Sequence, residues 1–132
     1  MTQEDKELLF KDLCARLPYY GLMVQYKGED FNIIDIGFGR VTLVKPFMST
    51  TSGSPLIEEV KPYLRPMSSM TEEEIKEFTS ITENVLVIGK KYTAILSIDS
   101  INWLNAHHFD YRGLIEKGLA IAVTKENNPY KK

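Results

Sequence analysis

One cysteine among 132 residues, Cys14, leaves the chain without an internal disulfide. This fits folding in a reducing, cytoplasmic setting and excludes a disulfide-stapled miniprotein. Cys14 falls among leucines, and no sequence neighbour would activate it, so it reads as a small buried hydrophobe. No apolar run approaches the roughly 20 residues that span a bilayer. The acidic, polar start of the chain is not a secretory signal, so no membrane association is expected. Charge of either sign is also not in excess. With 16 Lys plus Arg against 18 Asp plus Glu, and basic residues scattered as Lys61, Arg65, Lys90-Lys91 and Lys131-Lys132, a phosphate-tracking surface is not expected. Nucleic acid is therefore a remote partner.

What is present is apolar material for one core. Hydrophobic residues make up 43% of the chain, which excludes disorder, and the length suits one domain. The pattern reads as an α+β domain over residues 1–123. It holds about five strands in a small, strongly curled antiparallel sheet, packed by an N-terminal helix, a central helix and two short C-terminal helices. A flexible loop at 47–55 and a frayed polar tail at 124–132 complete the expectation.

Residues 3–17 predict an amphipathic helix. Leu9, Leu13 and Leu17 recur every four residues, with Phe10 and Cys14 widening the stripe. Thr2 is the expected N-cap, and Pro18 stops the helix. Residues 23–27, 31–36 and 40–45 then alternate with period two. Lys27-Gly28-Glu29-Asp30 and Gly37-Phe38-Gly39 fall between them as turns, as in an antiparallel meander.

Polar, small residues 47–54 predict a mobile loop, followed by a helical turn at 56–60. Pro62 and Pro66 make 61–67 extended or irregular. Thr71-Glu72-Glu73-Glu74 is a capping box for a helix, with Met70 and Ile75 as a staple and Ile75, Phe78 and Ile81 facing the core. A second hairpin is expected from 85–88 and 92–98 around Gly89-Lys90-Lys91. Asp99 or Ser100 would cap a helix to about His107, and Asp110 another at 111–117. Gly118 and Leu119 would close that last helix in a Schellman arrangement on Leu114. Residues 120–123 suit an edge strand.

The densest group of versatile side chains is Trp103, Asn105, His107, His108, Asp110, Tyr111 and Arg112. A catalytic site could use His107 or His108 as general base, Asp110 to orient it and Arg112 to grip an anion. A structural alternative makes the histidines helix-end residues and Asp110 a cap. Adjacent histidines on a helix point about 100° apart, and neither His-Glu-x-x-His nor Cys-x-x-Cys spacing occurs, so no metal site is expected. No cofactor is called for. Gly37-Phe38-Gly39-Arg40 lacks the length of a phosphate loop, and Ser49, Ser52 and Ser54 lack a nucleophile elbow. The short helices around His108-Phe109-Asp110 have no basic reading face for DNA. In Lys61-Pro62-Tyr63-Leu64-Arg65-Pro66, proline could hold Tyr63 and Arg65 out as rigid contact residues.

Residues 61–74 (KPYLRPMSSMTEEE), residues 103–116 (WLNAHHFDYRGLIE) and residues 12–18 (DLCARLP) resemble small uncharacterised proteins of phages and prophages from anaerobic gut bacteria. The resemblance covers about a quarter of the chain. It implies a phage or mobile-element origin and supplies no active-site residues. The function expected is non-enzymatic protein interaction, such as modulation of a host or phage protein. Tyr63, Arg65, His108, Tyr111 and Arg112 would be its contact surface. The alternative is a small enzyme built on His107, His108, Asp110 and Arg112. A weak nucleic-acid-binding module is a further alternative.

Overall fold

A computed structural model describes residues 1–19, 21–46, 51–81, 87–88, 91–92 and 98–130. Helix α1 (Gln3–Arg16) begins where expected: Thr2 Oγ1 accepts the Asp5 amide at 3.0 Å, and Glu4 and Asp5 occupy the positive first turn. It ends one residue before a 3-10 turn, Leu17–Tyr19, that carries Pro18. Its buried face is Leu9, Asp12, Leu13 and Arg16, whereas Phe10 is 46% exposed. The expected stripe is therefore rotated: two charged residues are inside and one aromatic is outside.

Strands β1 (Met23–Tyr26), β2 (Glu29–Gly37) and β3 (Arg40–Val44) form the predicted meander. Both turns hold two residues at positive φ, Lys27-Gly28 at 50° and 78° and Phe38-Gly39 at 53° and 73°. These are type I′ turns, whose twist matches that of the strands they join. A bulge at Ile34 gives β2 one extra residue against β3. That slip brings Ile36, opposite Val41, onto the core face with Phe31 and Ile33 despite its even number.

The polar stretch after β3 is partly regular. Residues 47–50 lie outside the described residues, but β4 (Thr51–Gly53) pairs antiparallel with β3 at the sheet edge. All three of its residues are exposed, so backbone hydrogen bonds alone make this strand. Apolar periodicity could not reveal it. A 3-10 turn, Ile57–Glu59, follows within the predicted 56–60 turn.

Strand β5 (Lys61–Leu64) lies inside the sheet. It runs antiparallel to β1 and parallel to β8 (Ile121–Ala122). The order β4-β3-β2-β1-β5-β8 is open, with two edges. The sheet is thus mixed and six-stranded rather than a curled antiparallel one. The chain between β5 and β8 is long enough to return in the parallel sense, which a hairpin cannot do.

Helix α2 (Glu72–Ile81) carries the predicted capping box: Thr71 Oγ1 accepts the Glu74 amide at 3.2 Å, and Glu74 Oε1 accepts the Thr71 amide at 3.0 Å. Ile75 is 49% exposed rather than core-facing, while Met70, Phe78 and Ile81 pack on Trp103, Leu104 and Phe109. This helix rests on another helix, not on the sheet, so its apolar stripe is narrow. Of the expected second hairpin, β6 (Val87–Ile88) and β7 (Lys91–Tyr92) pair antiparallel. Residues 82–86, 89–90 and 93–97 lie outside the described residues.

Helix α3 (Ile98–Ala106) starts before both expected caps, which fall in its first turn. It ends in a Schellman motif, with the Phe109 amide on Leu104 O at 3.0 Å and the His108 amide on Asn105 O at 3.2 Å. His108 holds the left-handed position at φ 65°. The predicted helix at 111–117 is absent, and residues 114–118 are turns. Its closing motif is nevertheless present: Leu119 N donates to Leu114 O at 3.0 Å and Gly118 N to Ile115 O at 3.1 Å, with Gly118 at φ 74°.

The main core lies between α1 and one sheet face, with Leu9, Leu13, Val24, Val41, Leu43 and Leu64 all fully buried. A second cluster, Trp103, Leu104 and Phe109, joins α2 to α3. Of the tail expected to fray, the described residues 124–130 are docked through Tyr130. Tyr130 Oη donates to Tyr63 O at 2.7 Å and accepts from Met23 N at 3.1 Å, so an aromatic anchor outweighs the polar composition around it.

Candidate functional site

The rotation of α1 has a purpose that its own sequence does not reveal. Asp12 and Arg16 stand one helical turn apart with side chains fully inside the protein. Arg16 Nε donates to Asp12 Oδ2 at 2.7 Å and Nη2 to Oδ1 at 3.0 Å, a two-pronged contact. Arg112 Nη1 reaches the same carboxylate at 2.9 Å, and Arg16 Nη2 also donates to Phe109 O at 2.6 Å. The Tyr111 ring lies under both guanidinium groups, 4.5 Å from Arg112 and 5.5 Å from Arg16. Its hydroxyl donates to Asn105 Oδ1 at 2.8 Å. Tyr111 and Arg112 are therefore held within a buried network, and Arg112 is occupied by Asp12 rather than free to clamp an anion.

The two histidines are separated by their surroundings. His107 Nδ1 donates to Trp103 O at 2.9 Å, since a carbonyl can only accept, and its ring stacks on Trp103 at 4.1 Å. His108 stacks on Tyr130, and its buried Nδ1 has no hydrogen-bond partner among the described residues. Burial, with Arg16, His107 and Arg65 nearby, pushes His108 down to about 4. A group so weakly basic is a poor general base at neutral pH.

Asp110 is not beside either ring: its oxygens accept the Leu114 and Ile115 amides at 2.9 and 3.0 Å. The histidine, carboxylate and arginine of the enzyme alternative each have a different structural partner. Among the described residues, no group of three or more His, Cys, Asp or Glu stands together for a metal.

Tyr63 is 5% exposed. Its hydroxyl donates to Asp30 at 2.6 Å and accepts from Gln25 at 3.2 Å. Burial and the Asp30 carboxylate push that hydroxyl up to about 12. Arg65 grips Glu74 with two bonds of 2.6 Å and covers the Phe109 ring at 4.2 Å. That pairing holds the Glu74 carboxyl down at about 2. With Arg65 on Glu74 and Arg112 on Asp12, neither arginine offers phosphate a free cation. Cys14 is half-buried, and desolvation raises its thiol, consistent with an inert side chain. No helix among the described residues is long and apolar enough to cross a membrane.

Among the described residues the most exposed large apolar side chain is Phe38, which sequence reasoning passed over. It is fully exposed at the β2–β3 turn, in a left-handed conformation. The signal was available: an aromatic between two glycines in a two-residue turn has no neighbour to cover it. Beside the turn, α1 and the 57–59 turn enclose an open groove of about 270 Å³ lined by Phe10, Gly39 and Ile57. Lys6, Glu7 and Glu58 supply charges along it, with Lys6 Nζ 3.7 Å from Glu58. The chain matches no family model, no curated protein and no solved structure.

Proposed function

We propose that the chain is a non-enzymatic protein-interaction domain whose contact surface is the β2–β3 tip together with the adjoining groove. The reading rests on Phe38. A left-handed backbone costs a residue with a Cβ roughly 1–2 kcal/mol, and asparagine is the usual occupant of this turn position. An exposed ring also forgoes about 1.5–3 kcal/mol of burial. Two unfavourable choices at one position make sense if the ring is buried against a partner.

The reading moves the contact surface away from Tyr63, Arg65, His108, Tyr111 and Arg112, each of which is bonded to or stacked on another residue of the domain. A phage or bacterial host protein as the partner is the part of the reading that rests on the resemblance alone. The test is capture from a bacterial lysate by the wild type and by Phe38→Asn, both shown to be folded. Selective loss of a captured protein from the variant supports the reading. An identical captured set overturns it.

A further inference from the structure

We infer that the buried end of Arg16 holds a small monovalent anion, of which a halide ion is the simplest, beside His108. A guanidinium carries five N–H donors. In Arg16, Nε and Nη2 direct theirs to Asp12 and to Phe109 O. Nη1 has no hydrogen-bond partner, although the whole side chain is buried. His108 Nδ1 is a second buried polar atom without a partner. The two share one neighbourhood: Arg16 bonds the carbonyl of Phe109, the residue after His108, and its charge acts on the His108 ring. Native interiors leave few polar atoms unpaired, and two of them in one place point to a ligand.

Charge selects the kind of ligand. Arg16 and Arg112 share the single carboxylate of Asp12, which leaves one positive charge over. The carboxylates nearest in the fold are engaged elsewhere. Glu74 takes both prongs of Arg65, and Asp110 accepts the Leu114 and Ile115 amides. The Tyr111 ring under both guanidinium groups offsets part of the surplus, but it gives Nη1 no acceptor. A buried charge without its counter-charge is costly. Water would satisfy the donors and leave that cost standing, whereas an anion removes both. One surplus charge asks for a monovalent ion, and full burial asks for a small one. The ion accepts from Arg16 Nη1, and from His108 Nδ1 when the neutral ring carries its proton there.

Bromide is the probe, with gluconate replacing it at constant ionic strength so that general screening cancels. Gluconate is too bulky for a buried site. Crystals in bromide should show an anomalous peak within hydrogen-bond reach of Arg16 Nη1. The wild-type melting temperature should rise by roughly 4–8 °C for each tenfold increase in bromide above the dissociation constant. Arg112→Met removes the surplus charge and leaves Asp12 to Arg16, so it should lose both the peak and the rise. In the wild type, the His108 Nδ1 resonance should move saturably with bromide. That of His107, bonded to Trp103 O, should stay in place. This last measurement decides the matter even where Arg112→Met does not fold. A water oxygen without anomalous signal at Nη1, a melting temperature indifferent to bromide, an Arg112→Met that responds like the wild type, or a His108 resonance that does not move overturns the inference.

Discussion

The rings of His108 and Tyr130 lie face to face, with centroids 4.1 Å apart and planes 7° from parallel. The stack joins the end of α3 to the C-terminal tail. Through the Tyr130 hydroxyl it also reaches β1 and β5, at Met23 and Tyr63. Tail, helix end and sheet should therefore lose stability together when this junction is disturbed.

Acid is one such disturbance. His108 sits at about 4 in the folded protein, below its ordinary 6.5, because burial and the nearby Arg16 disfavour the charged ring. The unfolded chain binds that proton more readily. The stabilisation is complete above pH 6.5 and is lost as the pH falls through 4, by up to about 1.4 kcal/mol per pH unit inside that window. Denaturant titrations at several pH values should show this slope, and His108→Asn, which tolerates the left-handed backbone, should flatten it. Glu74, held at about 2 by Arg65, acts in a lower window, between its ordinary 4.5 and 2. A wild-type stability unchanged between pH 6.5 and 4 would contradict this account of His108.

Asp12→Ala should cost about 3–5 kcal/mol, because it leaves buried Arg16 and partly buried Arg112 without their shared carboxylate. Against a total of roughly 5–15 kcal/mol for a domain, that is a large fraction. Asp35→Ala, at an exposed position of β2, should change stability by less than about 0.5 kcal/mol. Equal midpoints for these two variants in urea would show that the buried network contributes little.

Phe38→Asn should stabilise the fold by about 1 kcal/mol, since asparagine suits the left-handed turn position and the lost ring is not packed in the folded chain. Thermal melts of the two purified proteins measure this. A lower melting temperature would show that the ring supports the fold after all.

Tyr130→Phe keeps the stack on His108 but removes the hydroxyl that joins Met23 N to Tyr63 O. The expected cost is about 1–3 kcal/mol for the groups left without that partner. Amide exchange at Met23 should also accelerate. An unchanged exchange rate would mean that the tail is not anchored there in solution.

Several elements were legible because they depend on residues a few positions apart. Thr2 and Thr71 cap their helices through the third residue onward, and the meander turns at Lys27-Gly28 and Phe38-Gly39 need only local backbone freedom. Other features were not. The helix end near His107 was legible, but its Schellman closure on His108 was not, because the left-handed position of that motif is normally glycine. The bulge at Ile34 altered the strand parity on which the alternation argument relied. The candidate site was legible only as an inventory: His107, His108, Asp110 and Arg112 are close in sequence, yet each has a different partner in space.

The chain by itself determined where α1 and α2 begin, where β1 to β3 turn, and that an α+β domain forms. Caps, turns and alternating apolar residues act over one or two turns of helix or one hairpin. The tertiary structure decided which face of α1 goes inside, where β8 pairs and whether the tail is anchored. Those outcomes depend on groups brought from afar, as with Arg112 on Asp12 across 100 positions and Tyr130 on Tyr63 across 67. A buried charge or hydroxyl is stable only once its partner arrives, and no local pattern in the sequence records that arrival.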